Sequence, residues 1–349
     1  MDEERLMREA ISLAAPARPH PNPRVGAIVL DAEGRMVGRG AHAGPGSPHA
    51  EAMALEEAGE RAAGGTLAVS LEPCDHTGLT PPCTEVVLAS GVARVLVGAE
   101  DPDPRVAGLG IARLRSAWIE VVVGVAAAEA EALDPGYFHH RRTGRPRVTL
   151  KAALTLDGWA AAADGTSQWI TSEEAREDGH RLRAAADAVV VGAGTVLADD
   201  PALTVRLPGY SGGQPRAVVV AGRRPLPPQA RIWERRPLVL APGPADYPGE
   251  VVVVPGPDGV DLVAGLAALG ERGLLEVLVE GGPTLAGSLL RAGVVDRGVF
   301  YLGARLGGGE GTPALRGEFG TLADSRRARV ESVAAVGPDV RIEFTLEDR

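Results

Sequence analysis

Aromatic side chains are scarce in this chain of 349 residues, at 3% of the total, so its cores must be built from alanine, valine and leucine within the 45% apolar content. Cysteine is scarcer still. Cys74 and Cys83 are the only two, too few for a small domain stapled by disulfides. In a reducing compartment such a pair is more often metal-binding or catalytic. No apolar run approaches the length that crosses a bilayer. The N-terminal stretch MDEERLMREAISLA is acidic and amphipathic, unlike a secretory signal. The expected location is the cytoplasm, with no membrane partner. Positive charge is also short: 36 Lys and Arg stand against 46 Asp and Glu, a formal net charge of −10. That excludes a general nucleic-acid binder, which needs a basic field. It does not exclude a phosphorylated small molecule, because a few arginines and backbone N–H groups suffice to hold one phosphate.

Glycine (46) and proline (28) are plentiful and fall between short apolar runs, the pattern of a turn-rich α/β protein. The length suggests about two domains. In the first third, residues 2–14 have helical apolar spacing and Val25–Asp31 reads as a strand. Ser47–Gly59 reads as a helix, with Ser47 as N-cap and Pro48 at its first position. Thr66–Leu71 is a strand and Thr84–Ser90 a helix. Ala93–Gly98 and Ile119–Val123 are further strands, and Ala126–His140 is a helix. The β-α-β-α-β order predicts a layered α/β domain with parallel pairings. The basic, Gly- and Pro-containing break at Arg141–Pro146 marks a boundary, giving domains 1–144 and 145–349. The second is expected to hold one large sheet. Its strands are Val148–Ala153, Ala188–Gly192, Ala217–Val220, Leu238–Leu240, Val251–Val254, Glu276–Glu280, Arg297–Leu302 and Val340–Phe344. Its helices lie near 172–184, 259–270 and 283–292.

Three features of the first domain converge on hydrolytic zinc chemistry. His49-Ala50-Glu51 sits in the predicted helix, Pro73-Cys74 follows a strand, and Cys83 precedes the next helix. A catalytic zinc takes three protein ligands and keeps its fourth position for water, and His49, Cys74 and Cys83 supply one nitrogen and two sulfurs. Glu51, two residues from His49, suits general acid/base work on that water without being a ligand. Nucleobase deaminases pair His-x-Glu with Pro-Cys-x-x-Cys; here eight residues, 75–82, separate the cysteines. The competing readings are buried thiols, or a closed structural zinc with His42 or His76 as a fourth ligand.

These residues, with Pro21-Asn22-Pro23-Arg24-Val25-Gly26, His42 and Leu71-Glu72-Pro73-Cys74-Asp75-His76-Thr77-Gly78-Leu79-Thr80-Pro81-Pro82-Cys83, resemble the cytidine deaminase-like superfamily. The resemblance is closer still to the pyrimidine deaminase half of the bifunctional riboflavin biosynthesis family. It implies a three-layer cytidine deaminase-like fold in which Asn22, His42 and His76 contact the pyrimidine or its ribose phosphate. The family usually carries Lys or Arg where this chain has Leu79, so a cation that would meet the substrate phosphate is absent here. Either another group replaces it or affinity is lower.

In the second domain the apolar strand Glu276–Glu280 runs into Gly281-Gly282-Pro283-Thr284 and a helix. A Gly-Gly turn at a helix N-terminus presents backbone N–H groups to an anion, although it is also a common plain turn. Asp187–Asp200 contains Gly192-Ala193-Gly194-Thr195, a truncated dinucleotide fingerprint that lacks the third glycine, so no standard Rossmann domain follows. Taken in order, Lys151–Gly158, Ser167–Thr171, His180–Ala184, Gly192–Pro201, Leu203–Arg206 and Val279–Thr284 resemble the reductase half of the same family, whose fold is like dihydrofolate reductase. The resemblance implies that Ser167, Arg183, Leu203, Arg206 and Glu280 hold the substrate phosphate. It implies that Ala153, Trp169, Thr195, Asp199 and the turn Gly282, Pro283, Thr284, Leu285, Ala286, Gly287 and Ser288 line an NADPH site. Lys151 and Asp199 compete as the acid that assists hydride transfer.

The expectation is therefore a bifunctional enzyme of riboflavin biosynthesis that uses Zn2+ and NADPH. It deaminates 2,5-diamino-6-ribosylamino-4(3H)-pyrimidinone 5′-phosphate, then reduces its ribosyl group to ribityl, and works as a homo-oligomer. The alternative is a zinc nucleoside or tRNA deaminase with an unrelated C-terminal domain.

Overall fold

A computed structural model describes residues 2–222, 225–317 and 320–347. The chain divides into two compact units, Met1–Gly144 and Arg145–Arg349. The first contains α1 (Glu3–Ala14), β1 (Gly26–Leu30), β2 (Met36–Ala41), α2 (Ala50–Ala58), β3 (Thr66–Leu71), α3 (Cys83–Ser90), β4 (Arg94–Ala99), α4 (Leu109–Ser116), β5 (Glu120–Val123), α5 (Ala127–Leu133) and α6 (Pro135–Thr143). The second contains β6 (Arg147–Thr155), β7 (Trp159–Ala161), α7 (Glu173–Ala185), β8 (Ala188–Gly192), α8 (Ala193–Asp199), β9 (Arg216–Val220), β10 (Leu238–Ala241), β11 (Glu250–Val253), β12 (Pro255–Gly256) and β13 (Gly259–Val260). It continues with α9 (Leu262–Gly270), β14 (Glu276–Val279), α10 (Pro283–Arg291), β15 (Arg297–Gly303), β16 (Thr312–Pro313), β17 (Ala328–Val336) and β18 (Asp339–Leu346).

In the first unit a five-stranded sheet runs in the order β2-β1-β3-β4-β5. The strands β3, β4 and β5 pair in parallel, as the alternating pattern predicts. The strand β1 does not: it runs antiparallel to both β2 and β3. The cause is β2, a strand the sequence reading lacked. Two glycines and an arginine in MVGRGA hide its apolar alternation, and it makes a hairpin with β1 around the Asp31 turn. Asp31 accepts there from the Glu33 and Arg35 backbone N–H groups at 3.1 and 2.8 Å. The missing side chain of Gly40 is what lets α2 lie on β2, since a Cβ there would come within 2.2 Å of the Ala50 carbonyl oxygen. Leu6, Met7 and Ala10 of α1 pack with Ile28, Ala68 and Leu96 in the core.

Two helix boundaries also differ from expectation. The helix α2 begins at Ala50 with His49, not Ser47, as its N-cap. The Ser47 hydroxyl instead closes a turn with Gly44, donating to its carbonyl at 2.6 Å and accepting its N–H at 3.1 Å. The helix expected over 126–140 is two, α5 and α6. They break at Asp134 (φ −141°, ψ 66°), because a residue before proline is pushed out of the helical region.

The second unit is built on a nine-stranded sheet in the order β11-β10-β9-β8-β14-β6-β15-β18-β17, with two small ribbons, β12-β13 and β16-β7. From β11 through β15 the pairings are parallel, whereas β18 and β17 add antiparallel. Valine and leucine fill the core on the two faces of this sheet, as the shortage of aromatics requires. Asp261 caps α9 by accepting from Val263 and Ala264, so the helix starts after the turn rather than at 259.

Candidate active sites

The first unit gathers its chemistry at the N-terminal ends of α2 and α3. His49 precedes α2 in an extended conformation, Cys74 follows β3, and Cys83 is the first residue of α3. His49 Nδ1 lies 3.0 Å from the Cys83 sulfur and 3.7 Å from that of Cys74. The Cys83 backbone N–H donates to the Cys74 sulfur at 3.5 Å. The ligand atoms of the three residues all lie within 4.8 Å of one another. One nitrogen and two sulfurs at this spacing fit a zinc ion that keeps an open position. The two other histidines considered as ligands are placed differently. His42 is buried with Asn22 Nδ2 at 2.9 Å from its Nε2 and the Pro48 carbonyl oxygen at 3.2 Å from its Nδ1, and His76 is exposed. The second nitrogen of His49, Nε2, faces Thr80 Oγ1 at 3.2 Å.

Electrostatics follow from this packing. The hydrogen bond between the two thiols, with Cys83 as donor, holds the Cys74 thiol well below its usual range, while that same bond and burial push Cys83 up. Glu51 is 3% exposed, and burial pushes its carboxyl up to about 7.

A pocket of about 260 Å³ opens over these groups and includes Asn22, His42, His76, Leu79 and Glu51 among its lining residues. It also draws on residues to which the sequence reading gave no role in the site: Thr80, Asp101, Asp103, Arg105, Tyr137 and Arg141. Glu72 organises that side. Its buried carboxylate accepts from the N–H groups of Asp101 (3.3 Å), Gly108 (2.9 Å) and Ile111 (3.2 Å). Asp101 accepts the Tyr137 hydroxyl, 3.1 Å from each oxygen, and burial pushes its carboxyl up to about 6. The sequence signal was an acidic, proline-containing turn after a strand end. Nothing in the spacing tied Tyr137, 36 residues away, to it.

The second unit has a larger cleft, about 1280 Å³, at the carboxyl ends of β6, β8, β9 and β14. Lys151, Ala153, Ser167, Trp169, Thr195, Asp199, Leu203, Arg206, Glu280 and Arg183 all line it, as do Gly282, Pro283, Thr284, Leu285 and Ser288. Ala286 and Gly287 of the same stretch do not. Ala286 faces the core, and a Cβ on Gly287 would meet the Arg316 carbonyl oxygen at 1.7 Å. The two glycine turns meet, because the Gly282 N–H donates to Thr195 Oγ1 at 3.1 Å. With Pro283 lacking an N–H, the amides of Thr284 and Leu285 are the first-turn donors of α10 without a partner inside the helix. Arg183 does not extend an open fork. Its Nε and Nη2 grip Glu280 at 2.6 and 2.9 Å, and Nη1 donates to the Thr204 carbonyl at 2.9 Å. Burial alone would raise Glu280, but the Arg183 bonds and the Lys151 charge outweigh it and hold the carboxyl at about 2. Burial and the neighbouring Arg183 and Arg206 charges push His180 down to about 4.

Residues 1–99 match the family model described as cytidine and deoxycytidylate deaminase zinc-binding region, and residues 146–342 match that of the RibD C-terminal domain. The second match removes the alternative of an unrelated C-terminal domain. The riboflavin biosynthesis protein RibD of Escherichia coli strain K12 is 41% identical over 368 residues, covering 97% of this chain and 98% of that protein. RibD of Mycobacterium tuberculosis strain H37Rv is 44% identical over 326 residues, covering 92% and 90%. Among solved structures, Acinetobacter baumannii RibD superposes with a TM-score of 0.89 at 34% identity, covering 99% of both chains. The diaminohydroxyphosphoribosylaminopyrimidine deaminase/5-amino-6-(5-phosphoribosylamino)uracil reductase of Thermotoga maritima superposes with a TM-score of 0.88 at 34% identity, again covering 99% of both.

Proposed function

The chain belongs to the RibD family of bifunctional deaminase/reductases of riboflavin biosynthesis, and from that premise we propose which of its residues perform each reaction. Residues 1–144 form the deaminase domain and 145–349 the reductase domain. The observation that carries the first half is the convergence of His49, Cys74 and Cys83, which would hold the zinc, beside a buried Glu51. Bound there, zinc lowers the pKa of a water toward neutrality. Glu51 takes one proton of the attacking water and passes it to the ring nitrogen, then takes the second from the newly attached hydroxyl and passes it to the leaving amine. The C–O bond forms as the ring C=N double bond opens to a single bond, and the C–N bond to the exocyclic amine then breaks as ammonia departs. Asn22, His42 and His76 orient the diaminopyrimidine over that centre.

In the second half NADPH supplies the hydride. The turn from Gly282 to Ser288, with Ala153, Trp169, Thr195 and Asp199, forms its site, and the Thr284 and Leu285 amides suit its phosphates. The lining geometry favours leaving Ala286 and Gly287 out of direct contact. Ser167, Leu203, Glu280 and the two arginines hold the phosphorylated product of the first half. Arg206 is the exposed cation of that pair, whereas Arg183 acts through its grip on Glu280. A hydride so supplied would reduce the sugar C1 of the open-chain imine, with a proton to the nitrogen, giving the ribitylamino product. Of the two acids considered, Lys151 is favoured for its place: it projects from β6 into the cleft that also draws on Arg183 and Glu280, whereas Asp199 is exposed at the end of α8.

Among the described residues no helix is long and apolar enough to cross a membrane, which supports a cytoplasmic enzyme. A homo-oligomer is supported by β17, a nine-residue edge strand exposed along nearly its whole length, with Val330 and Val333 outward. Such an unpaired backbone row is commonly covered by another chain. The test of the functional reading is a coupled assay: purified protein with zinc, the diaminopyrimidine phosphate and NADPH releases ammonia and oxidises the cofactor. Ammonia without cofactor oxidation would refute the reductase half.

A further inference from the structure

The deaminase reading gives this chain a substrate with a phosphate group, and that charge must either meet a cation or remain in water. Leu79, at the rim of the first unit's pocket, is apolar and 82% exposed, so it offers nothing to an anion. Among the described residues lining that pocket, the guanidinium groups are those of Arg105 and Arg141, and there is no lysine. Arg141 is largely enclosed: its side chain is 25% exposed, its Nε stands 3.3 Å from Asp103 without a hydrogen bond, its Nη1 lies 3.0 Å from His140 Nδ1, and it sits over the Tyr137 ring at 4.9 Å.

Arg105 is different in both exposure and geometry. Its side chain is 79% exposed. It grips Asp103 through Nε at 2.9 Å and Nη2 at 2.6 Å, which leaves the Nη1 pair of N–H groups outside that fork. The grip is itself anchored. The Arg105 N–H donates to Asp103 at 3.0 Å, and the Asp103 N–H donates to the buried Asp101 carboxylate at 2.8 Å. A guanidinium held this way loses little freedom when it takes an anion.

We infer that Arg105 receives the phosphate of the pyrimidine substrate at the mouth of the deaminase pocket. It thereby makes this half select phosphorylated over dephosphorylated pyrimidine nucleosides, an inference that rests on the deaminase reading above. In this chain it does the work for which Leu79 is unsuited.

The test compares ammonia release by the full-length, zinc-loaded protein from the phosphorylated substrate and from its dephosphorylated counterpart. The wild type has the lower KM for the phosphorylated compound. Arg105→Ala raises that KM about tenfold, the loss expected for a charge-assisted contact, with kcat little changed. Its KM for the dephosphorylated compound does not move. Arg105→Lys keeps most of the discrimination. Adding Leu79→Lys to Arg105→Ala restores it, since an ammonium then stands at the same rim. Zinc content equal to wild type confirms that the variants fold. An unchanged KM in Arg105→Ala, or an equal rise for both compounds, overturns the inference. If the wild type releases no ammonia from either compound, the deaminase reading itself falls and this inference with it, a result distinct from a lost difference between them.

Discussion

His49 uses both of its ring nitrogens. Nδ1 faces the two sulfurs, so it is the nitrogen that a zinc ion would take, and Nε2 then carries the proton that Thr80 Oγ1 accepts at 3.2 Å. A hydrogen bond to the far nitrogen of a ligating histidine fixes its ring and raises its basicity. The eight residues between the cysteines bring Thr80 to that position, which a two-residue spacing could not. Thr80→Val is therefore expected to weaken zinc binding by about 10- to 100-fold, read by competition with a chromophoric chelator, while Thr80→Ser stays near wild type. Wild-type affinity in Thr80→Val would remove Thr80 from the site. At this scale the three proposed ligands and Glu51 could be singled out in the sequence because they lie in short motifs at element ends. Thr80, Asp101, Arg105 and Tyr137 were not, because their contacts depend on how loops fold back. Arg183 was legible as a cation, but its partner Glu280, 97 residues away, is visible only once α7 lies against the end of β14.

Among the elements, α4 positions the Cys74 turn. Gly110 lies against Pro73 so closely that a Cβ would stand 1.8 Å from the Pro73 carbonyl oxygen. That oxygen belongs to rigid backbone next to the ligand, so the helix or the turn must move. Gly110→Ala is expected to cost about 1–3 kcal/mol in stability and to weaken zinc binding along with it, measured by thermal unfolding and zinc titration. Unchanged zinc affinity in a destabilised variant would separate α4 from the site. The sequence reading did not include α4, whose apolar residues are few and interrupted by Arg113 and Arg115. It did include most buried strands, whose continuous valine and leucine runs leave little ambiguity. It lacked β2 and β17, which are diluted by glycine or by exposed charged residues. Parallel order was therefore readable for β3 to β5 but not the reversal at β1.

At the scale of the whole molecule, two α/β units each carry a pocket of distinct chemistry, one centred on thiols and an imidazole, the other on arginines, a lysine and a glycine turn. The reductase unit also carries an acid-sensitive pair. Glu280 is held at about 2 against an ordinary value of 4.5, so between those values the unfolded chain binds the extra proton. Its contribution is fully present above about pH 4.5 and is lost as the pH falls toward 2, on the order of 3 kcal/mol in all. The stability difference between wild type and Glu280→Gln, followed by urea unfolding, should shrink over that window. A difference constant down to pH 2 would contradict the pairing.

The most direct test of the two-site account is Glu51→Gln in the full-length protein, assayed for zinc content, ammonia release from the diaminopyrimidine phosphate, and NADPH oxidation with the deaminated compound supplied. The account predicts bound zinc, ammonia release slowed by at least about 10²-fold, and cofactor oxidation at the wild-type rate. Ammonia released at the wild-type rate would contradict it.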